Sequence, residues 1–338
     1  MTYSNHISIP MIYSQDFVVD QQSLPKGGSR SKAFFTEIAT GRLYIGKSPM
    51  LLPKEEEKAE ALKEKIANDI YAYFGVFVPK MQLSDQEYQL NYCDLATRQL
   101  YLGGVQRSRG THLMVEYFTD FKTYPAPKEW LQKDQSQEEH LTITIKGRRL
   151  PEKGLGHVLA IARWIRDCDV IGSEGKNIGS QLREFQPGEC YYKTCNIDPG
   201  EVFYNDEEYK PKPRHIRLYT GGDDPYVAFD HLPIATRREF LSTLRHILMA
   251  PEKDLHSLFH REGTQPLLEK FKNRNLIDFL LEERDLLAQE YAKELDAFKP
   301  EDEIQPCPQL NFRLLLPDCV SQLQQRAWEM SRTPQAQQ

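Results

Sequence analysis

The sequence lacks the features that mark a membrane-embedded, disulfide-stapled or nucleic-acid-binding chain. No apolar run approaches the roughly 18–20 residues that cross a bilayer. The opening stretch 1-MTYSNHISIPMIYSQ-15 has no charged start followed by an apolar block, so no cleavable signal peptide is read there. Lys and Arg total 43 against 49 Asp and Glu, a net charge of −6. The basic excess demanded by general phosphate-backbone binding is therefore missing, and no nucleic-acid partner is expected. The 6 cysteines stand far apart except for Cys190 and Cys195, in 190-CYYKTC-195. That spacing is not that of a zinc knuckle, and on a strand the two thiols would face opposite sides, so reduced cysteines are expected. There is no internal repeat. His256 and His260 are four apart but have no partner carboxylate in a metal-binding pattern.

What is present is the composition of an ordinary folded chain: 338 residues, 40% hydrophobic and 27% charged, enough for two lobes without a metal or disulfide staple. Residues 16–22, 33–39 and 43–49 are β-branched or aromatic, and 40-TG-41 supplies a turn between the last two. Residues 54–75 then repeat apolar side chains at three and four, from Ala61 and Leu62 through Ile66 and Ile70 to Tyr73 and Phe74, with Gly75 as the stop. Further strands are expected over 87–95, 98–104 and 111–118. A polar, loop-rich stretch from 119 to about 150 has the character of a hinge region. Helices follow over 153–167, 234–250 and 266–298, with short strands near 177–182 and 190–197. The expected fold class is α+β and bilobal: a small, mostly antiparallel sheet with one long helix over 1–118, a larger helical lobe over 119–298, and an acidic, polar extension over 299–338, partly disordered.

Several residues in this order carry chemistry. In 24-LPKGGSRSKAFF-35, Gly27, Gly28 and Ser29 can form a plain hairpin turn, or a loop whose backbone N–H groups cover phosphates. Lys47 ends 43-LYIGK-47 on the second strand after these glycines and precedes the long helix. Glycine loop, strand-borne lysine and helix carboxylate is the order in which nucleotide phosphotransferases hold phosphates. Glu64 is the helix carboxylate, with Asp69 as the alternative; a solvated edge lysine and an exposed helix charge are the ordinary readings of the pair. Further on, 165-IRDCDVIGSEGKNIG-179 places Asp167, Asp169 and Asn177 in one loop, and 196-NIDPG-200 adds Asp198. Asp and Asn are common in turns. They are also the hard oxygen ligands that a phosphate-bound magnesium ion takes in small number.

The run GGSRSK…TGRLYIGK, followed by E-x-x-A-x-x-I-Y-x-x-F-G-V-x-V-P across Glu64 to Pro79, resembles the atypical kinases: the HipA-like kinases, the phosphatidylinositol 3- and 4-kinases and the actin-fragmin kinase, which share the protein-kinase fold core. The later segments are similar as well. Residues 111-THLMVEYF-118 resemble the strand entering the hinge, 156–179 the helix and catalytic loop, and 196-NIDPG-200 the I-D-F-G of lipid kinases. The resemblance covers roughly residues 20 to 205 by motif and implies ATP with magnesium or manganese between the lobes. It implies that Gly27, Gly28, Ser29 and Lys47 contact the nucleotide phosphates and that Glu64 pairs with Lys47. Met114 would lie in the gatekeeper region, with Glu116, Tyr117 and Phe118 at the adenine. Asn177 and Asp198 would ligate the metal, and Asp169 or Asp167 would orient the attacking group.

Two departures qualify the pattern. The kinase loop places its Asp five positions before the Asn. Here that slot is Gly172, while Asp169 stands eight before Asn177 and Asp167 ten before. Gly172 and Gly175 would let the extra residues bulge out and return Asp169 to the site. Pro199 follows Asp198 where Phe is usual. The implied function is phosphotransfer to a protein, lipid or inositol hydroxyl; the competing expectations are a pseudokinase scaffold that binds nucleotide or inositol polyphosphate, or the same fold reused for AMP transfer or ATP hydrolysis. The basic clusters 146-KGRR-149, 210-KPKPRHIR-217 and 237-RR-238 are solvated faces or sites for an inositol phosphate or an anionic membrane surface. Divergent kinases of this kind also resemble secreted effectors of intracellular bacteria, so the expected location is the cytosol, or a host cell reached without a cleavable signal peptide.

Overall fold

Alternating burial along short β-branched and aromatic runs builds the first sheet. The computed structural model describes residues 17–20, 31–48, 54–84, 88–90, 93–94, 99–100, 106–108, 112–118, 121–124, 129, 131–172, 175–186, 189–203, 211–220, 225–259 and 276–299. Strands β1 (Phe17–Asp20), β2 (Ser31–Glu37) and β3 (Leu43–Ser48) form an antiparallel meander. Helix α1 (Lys54–Tyr73) follows. Gly75, at φ 78°, ends it in the left-handed conformation, and the Val76 N–H reaches back to the Tyr71 carbonyl at 2.9 Å. That is the glycine-closed helix end in which orphan carbonyls find a donor. Strand β4 (Met81–Ser84) then runs to a hairpin arm in which β5 (Tyr88–Leu90) pairs with β8 (Gln106–Ser108), and β6 (Cys93–Asp94) with β7 (Gln99–Leu100). Strand β9 (His112–Glu116) returns to the main sheet, whose order is β1-β2-β3-β9-β4, antiparallel throughout.

The second lobe begins with β10 (Lys122–Thr123), β11 (Thr142–Ile145) and β12 (Arg148–Lys153), then helix α2 (Leu155–Trp164). A long hairpin, β13 (Ile178–Gln186) and β14 (Glu189–Asn196), completes a sheet of order β10-β13-β14-β12-β11, in which only β12 and β14 are parallel. Strands β15 (His215–Arg217) and β16 (Tyr226–Ala228) pair separately, and helices α3 (Ile234–Met249), α4 (Glu252–Phe259), α5 (Leu276–Glu290) and α6 (Ala292–Ala297) close the lobe. The fold is α+β: an antiparallel N-terminal sheet with one long helix, then a lobe of helices carrying its own sheet.

Helix α2 is buried on every side and organises this lobe. Trp164 is fully buried, donates its indole N–H to the Leu280 carbonyl at 2.9 Å, and meets the edge of Phe74 from α1. The core is thus continuous from α1 into the second lobe. A smaller cluster of Phe17, Ala33, Phe35, Tyr44 and Met114 lies within the N-terminal sheet. The segment after α1 also crosses between lobes: the Phe77 carbonyl accepts the Asn196 N–H at 3.3 Å, as a parallel bridge beside Cys195.

The stretch 119–150, expected to be loop, contains β10, β11 and the start of β12 instead. The strand signal lies in 142-TITI-145, where Ile143 is buried and Thr142 and Thr144 are exposed. Charged flanks hide this four-residue alternation, and tertiary pairing supplies what propensity does not. The expected strands at 87–95 and 98–104 fall in the β5–β8 arm rather than in the main sheet. Of the expected helix 266–298, residues 276–290 and 292–297 are helical and 266–275 lie outside the described residues, as do 300–338. Cys168, Cys190 and Cys195 are free thiols. Among the described residues, no helix is long and apolar enough to cross a membrane.

Candidate active site

Lys47 sits on β3 where that strand is flanked by β2 and β9, so its side chain leaves the sheet toward α1. It is almost wholly buried, and its ammonium bonds both the Glu64 carboxylate of α1 and Asp198 Oδ1, the latter at 2.6 Å. Burial alone would lower the lysine pKa; Asp198 and Glu64 outweigh it and hold the pKa above the ordinary value. Glu64 is fully buried, which explains why a lysine must meet it. Asp69, the alternative partner, lies one turn further along α1 and pairs with Lys65 at 2.7 Å.

Opposite Lys47, the chain leaving α2 is bent sharply. Arg166 takes φ 49° and the Asp167 N–H returns to the Ala162 carbonyl at 2.8 Å. A non-glycine residue in this conformation is held by its surroundings. The Arg166 guanidinium bonds Glu283 of α5 at 2.6 Å and lies over the Phe279 ring. Beyond it, the two sides of the loop close on each other. The Gly175 N–H meets the Gly172 carbonyl at 3.0 Å, and the Asn177 N–H returns to Ile171 at 3.1 Å. Gly172 has φ 82°, and a Cβ there would come within 2.9 Å of the Asn177 amide, so no other residue type fits this backbone and this space together.

This closure brings Asp169 and Asn177 side by side. Asn177 Nδ2 donates to the Asp169 carbonyl at 2.8 Å and to Oδ2 of its carboxylate at 3.3 Å, and the Thr220 N–H donates to Oδ1 at 3.1 Å. Burial pushes the Asp169 pKa up to about 6, with Glu201 and Asp198 adding repulsion against those donors. Asp167 is placed differently. It is 2% exposed, takes the Tyr71 hydroxyl at 2.8 Å and the Asp169 N–H at 3.2 Å, and burial raises its pKa to about 7. Its carboxylate faces the interior while that of Asp169 is half-buried at the cleft.

Of the residues expected at the adenine, Met114 is fully buried on β9. The Glu116 carboxylate pairs with Arg42 at 3.2 Å, and Tyr117 is exposed with its ring against Phe34. Phe118 stacks flat on Phe77 at 5.2 Å, and Arg183 and Lys193 lie over the Phe77 ring. Gly27, Gly28 and Ser29 lie outside the described residues. The basic clusters divide. Lys146 to Arg149 form the exposed tip of the β11–β12 hairpin. Arg214, by contrast, is tied internally to Asp230 at 2.6 Å, to Glu294 at 3.0 Å and to Glu290, so it belongs to the fold. Arg237 donates to the Ser136 carbonyl and Arg238 pairs with Glu139.

Tyr71 and Asn196 also meet the Asp167 and Asp198 segments; both stand inside the motifs quoted above, which gave them no role. Tyr71 stands seven after Glu64, two turns along the same face of α1, and Asn196 stands two before Asp198, whose N–H it accepts at 3.3 Å. Among the described residues no cluster of three or more His, Cys, Asp or Glu forms a metal cage. Asn177 Oδ1 and the Asp198 carboxylate are instead a sparse pair of hard oxygens on adjacent strand ends, joined where the Ile197 N–H meets the Asn177 carbonyl at 3.0 Å. Because the Asn177 Nδ2 is bonded to Asp169, its Oδ1 remains an acceptor without a donor among the described residues. That donor set fits magnesium, which completes its octahedron with waters and phosphate oxygens.

No family model matches the sequence, and no curated protein does. Among solved structures, the chain is similar to the Helicobacter pylori proinflammatory kinase CtkA, with 13% sequence identity and a TM-score of 0.46; the alignment covers 81% of this chain and 96% of that one.

Proposed function

We propose that the chain is an ATP- and magnesium-dependent phosphotransferase of the atypical kinase type. The observation that carries this reading is Lys47, a buried cation on a strand that bridges a helix carboxylate, Glu64, and a carboxylate of the other lobe, Asp198. A structural ion pair needs two partners; a lysine shared across a cleft, beside a second Asp–Asn pair, matches the parts that phosphoryl transfer requires. In this reading Lys47 binds the nucleotide phosphates and Glu64 fixes its position. Asn177 Oδ1 and Asp198 would hold the magnesium, which neutralises charge developing on the phosphoryl oxygens. Asp169 receives or orients the acceptor hydroxyl proton, its carboxylate aimed by the Thr220 N–H and the Asn177 amide. The placement of Asp167 away from the cleft leaves Asp169 as the group in reach of an acceptor.

The acceptor is proposed to be a protein, lipid or inositol hydroxyl. The exposed tip of Lys146, Arg148 and Arg149 supports an inositol phosphate or an anionic membrane surface as cofactor; the internal pairing of Arg214 removes part of the other cluster from that role. The test is purified chain with ATP and magnesium or manganese, with and without inositol polyphosphates, phosphoinositide vesicles and a generic protein acceptor. Intact mass and nucleotide products are the readout. Transfer of phosphate, lost in Asp198→Ala, is expected. Nucleotide binding with no transfer in any arm would make the chain a pseudokinase, and appearance of AMP adducts or of free phosphate alone would assign it another reaction on the same site.

A further inference from the structure

Three buried polar side chains lie behind the proposed site, and none of them faces the cleft. Tyr71 is fully buried on α1, and its hydroxyl donates to Asp167 Oδ2 at 2.8 Å. The other oxygen of that carboxylate accepts the backbone N–H of Asp169 at 3.2 Å. Asn196 is fully buried at the end of β14, and its Oδ1 accepts the backbone N–H of Asp198 at 3.3 Å. The main chain of each reactive carboxylate is therefore held by an interior side chain exactly two residues before it. The Asn196 side chain also lies beside the Tyr71 hydroxyl, so both meet α1 two turns beyond Glu64. Polar groups this deep are costly unless satisfied. The Asp167 Oδ1 and Asn196 Oδ1 acceptors end on the two backbone N–H groups that set the direction of the site, while Asn196 Nδ2 has no hydrogen-bond partner among the described residues.

We propose that Tyr71, Asp167 and Asn196 form an interior positioning relay that couples helix α1 to the backbone of both Asp169 and Asp198. This rests on the phosphotransfer reading for its kinetic consequence, but not for its structural one. Helix α1 then sets the site from two ends. Glu64 fixes Lys47, and Tyr71 fixes Asp167 and through it the loop bearing Asp169. A displacement of α1 would disturb the phosphate-binding lysine and the acceptor-facing carboxylate together. Asp167 is thus a positioning residue, which accounts for a buried acid beside the site that no substrate can reach.

The experiment compares Tyr71→Phe, which removes only the hydroxyl, with Asp167→Asn and Asp167→Ala. Amide exchange at Asp169 and Asp198 is followed by NMR, and kcat and KM for ATP are measured where transfer is observed. In Tyr71→Phe the Asp169 amide is expected to exchange about 10-fold faster or more, with kcat reduced about 10- to 100-fold and KM for ATP little changed, the scale of losses seen when a group supporting a ligand is removed. Asp167→Asn, which keeps an acceptor for the Asp169 N–H, should retain at least about 10-fold more rate and slower exchange than Asp167→Ala. Wild-type exchange at Asp169 in folded Tyr71→Phe overturns the relay. So does Asp167→Asn being as slow as Asp167→Ala while keeping normal exchange, since that places chemistry on the carboxylate itself. If the wild type transfers no phosphate, accelerated exchange in Tyr71→Phe still supports the relay, and only the functional reading fails.

Discussion

Glu64, from its own lobe, and Asp198, from across the cleft, meet a lysine, whereas Glu152 and Glu239, beneath the start of α2, meet backbone N–H groups and a hydroxyl. Glu239 accepts the Gly154 and Gly156 N–H groups at 2.8 and 3.1 Å, and Glu152 accepts the Leu155 N–H at 2.9 Å and the Thr194 hydroxyl. Both of these acids are buried and next to each other. Burial, then the neighbouring Glu239, raises Glu152 well above the carboxylate range, and burial raises Glu239 to about 7. The cleft carboxylates are compensated by charge; the pair under α2 is compensated by protonation and by capping the helix. The same functional group is therefore poised for ionic chemistry in one place and serves as a neutral structural cap in the other, and partner type decides which.

Substitutions should separate the two places. The largest effect is expected for Asp169→Ala, with turnover reduced about 10²- to 10⁴-fold and ATP affinity nearly unchanged, because a proton-accepting group acts mainly in the transition state. Rate and calorimetric ATP binding measured on one preparation would check it; a normal rate would remove Asp169 from the chemistry. Asp198→Ala and Lys47→Ala should each lower turnover about 10²- to 10³-fold. Only Lys47→Ala should also weaken ATP binding in the absence of metal, and equal metal-free affinity in the two variants would dissolve the distinction between a phosphate ligand and a metal ligand.

Glu152→Gln should leave turnover near the wild-type level and change the pH dependence of stability. For an acid whose folded pKa is raised from 4.5 to about 7, as at Glu239, the stabilising contribution is complete below the lower value and is lost as pH rises through about 7. The wild-type Tm should therefore fall between about pH 5 and about pH 8, and the fall should be shallower in Glu152→Gln, where Glu239 no longer repels a second carboxylate. Each kcal/mol involved corresponds to about 2–4 °C in a domain of this size. Parallel melting curves would show that the pair does not titrate in the fold. The smallest effect is expected from replacing Lys146, Arg148 and Arg149 together: weaker binding to phosphoinositide vesicles at low salt, fading over the screening range as salt is raised, with unchanged Tm. Identical vesicle binding would leave the hairpin tip as solvated surface.

The arrangement around Lys47 was legible because its parts are local signals: a strand, a turn, a second strand ending in lysine, then a helix with three-and-four periodicity. The turn points of the following loop were legible for a similar reason, since Gly172 and Gly175 both take the positive φ that glycine accepts. Tyr71 was not legible, because a tyrosine on the apolar face of a helix looks like core until the carboxylate it meets, 96 positions later, is known. Arg214 illustrates the reverse case. In sequence it belongs to a basic run, yet its charge is matched by Asp230 and Glu294, acids brought in by later elements. Strand β11 was hidden by the charges around four alternating residues. Local patterns picked out the side chains that the fold brings together; long-range partners decide which charges are matched within it.

The lobes are joined covalently through residues 117–121 and a second time at Phe77, whose carbonyl enters the sheet of the other lobe beside Asn196. With the packing of Phe74 on Trp164 on the same side, these attachments lie along a line, and a body held along a line turns most easily about it. Phe77 and Phe118, stacked at 5.2 Å, bring the two attachments together as neighbouring points on that line. Any opening of the cleft must then swing β1 and β2, the strands farthest from these attachments, most, as the free edge of a door, while Tyr71, close to the pin, travels least. Such a motion leaves the geometry behind Asp169 and Asp198 nearly still.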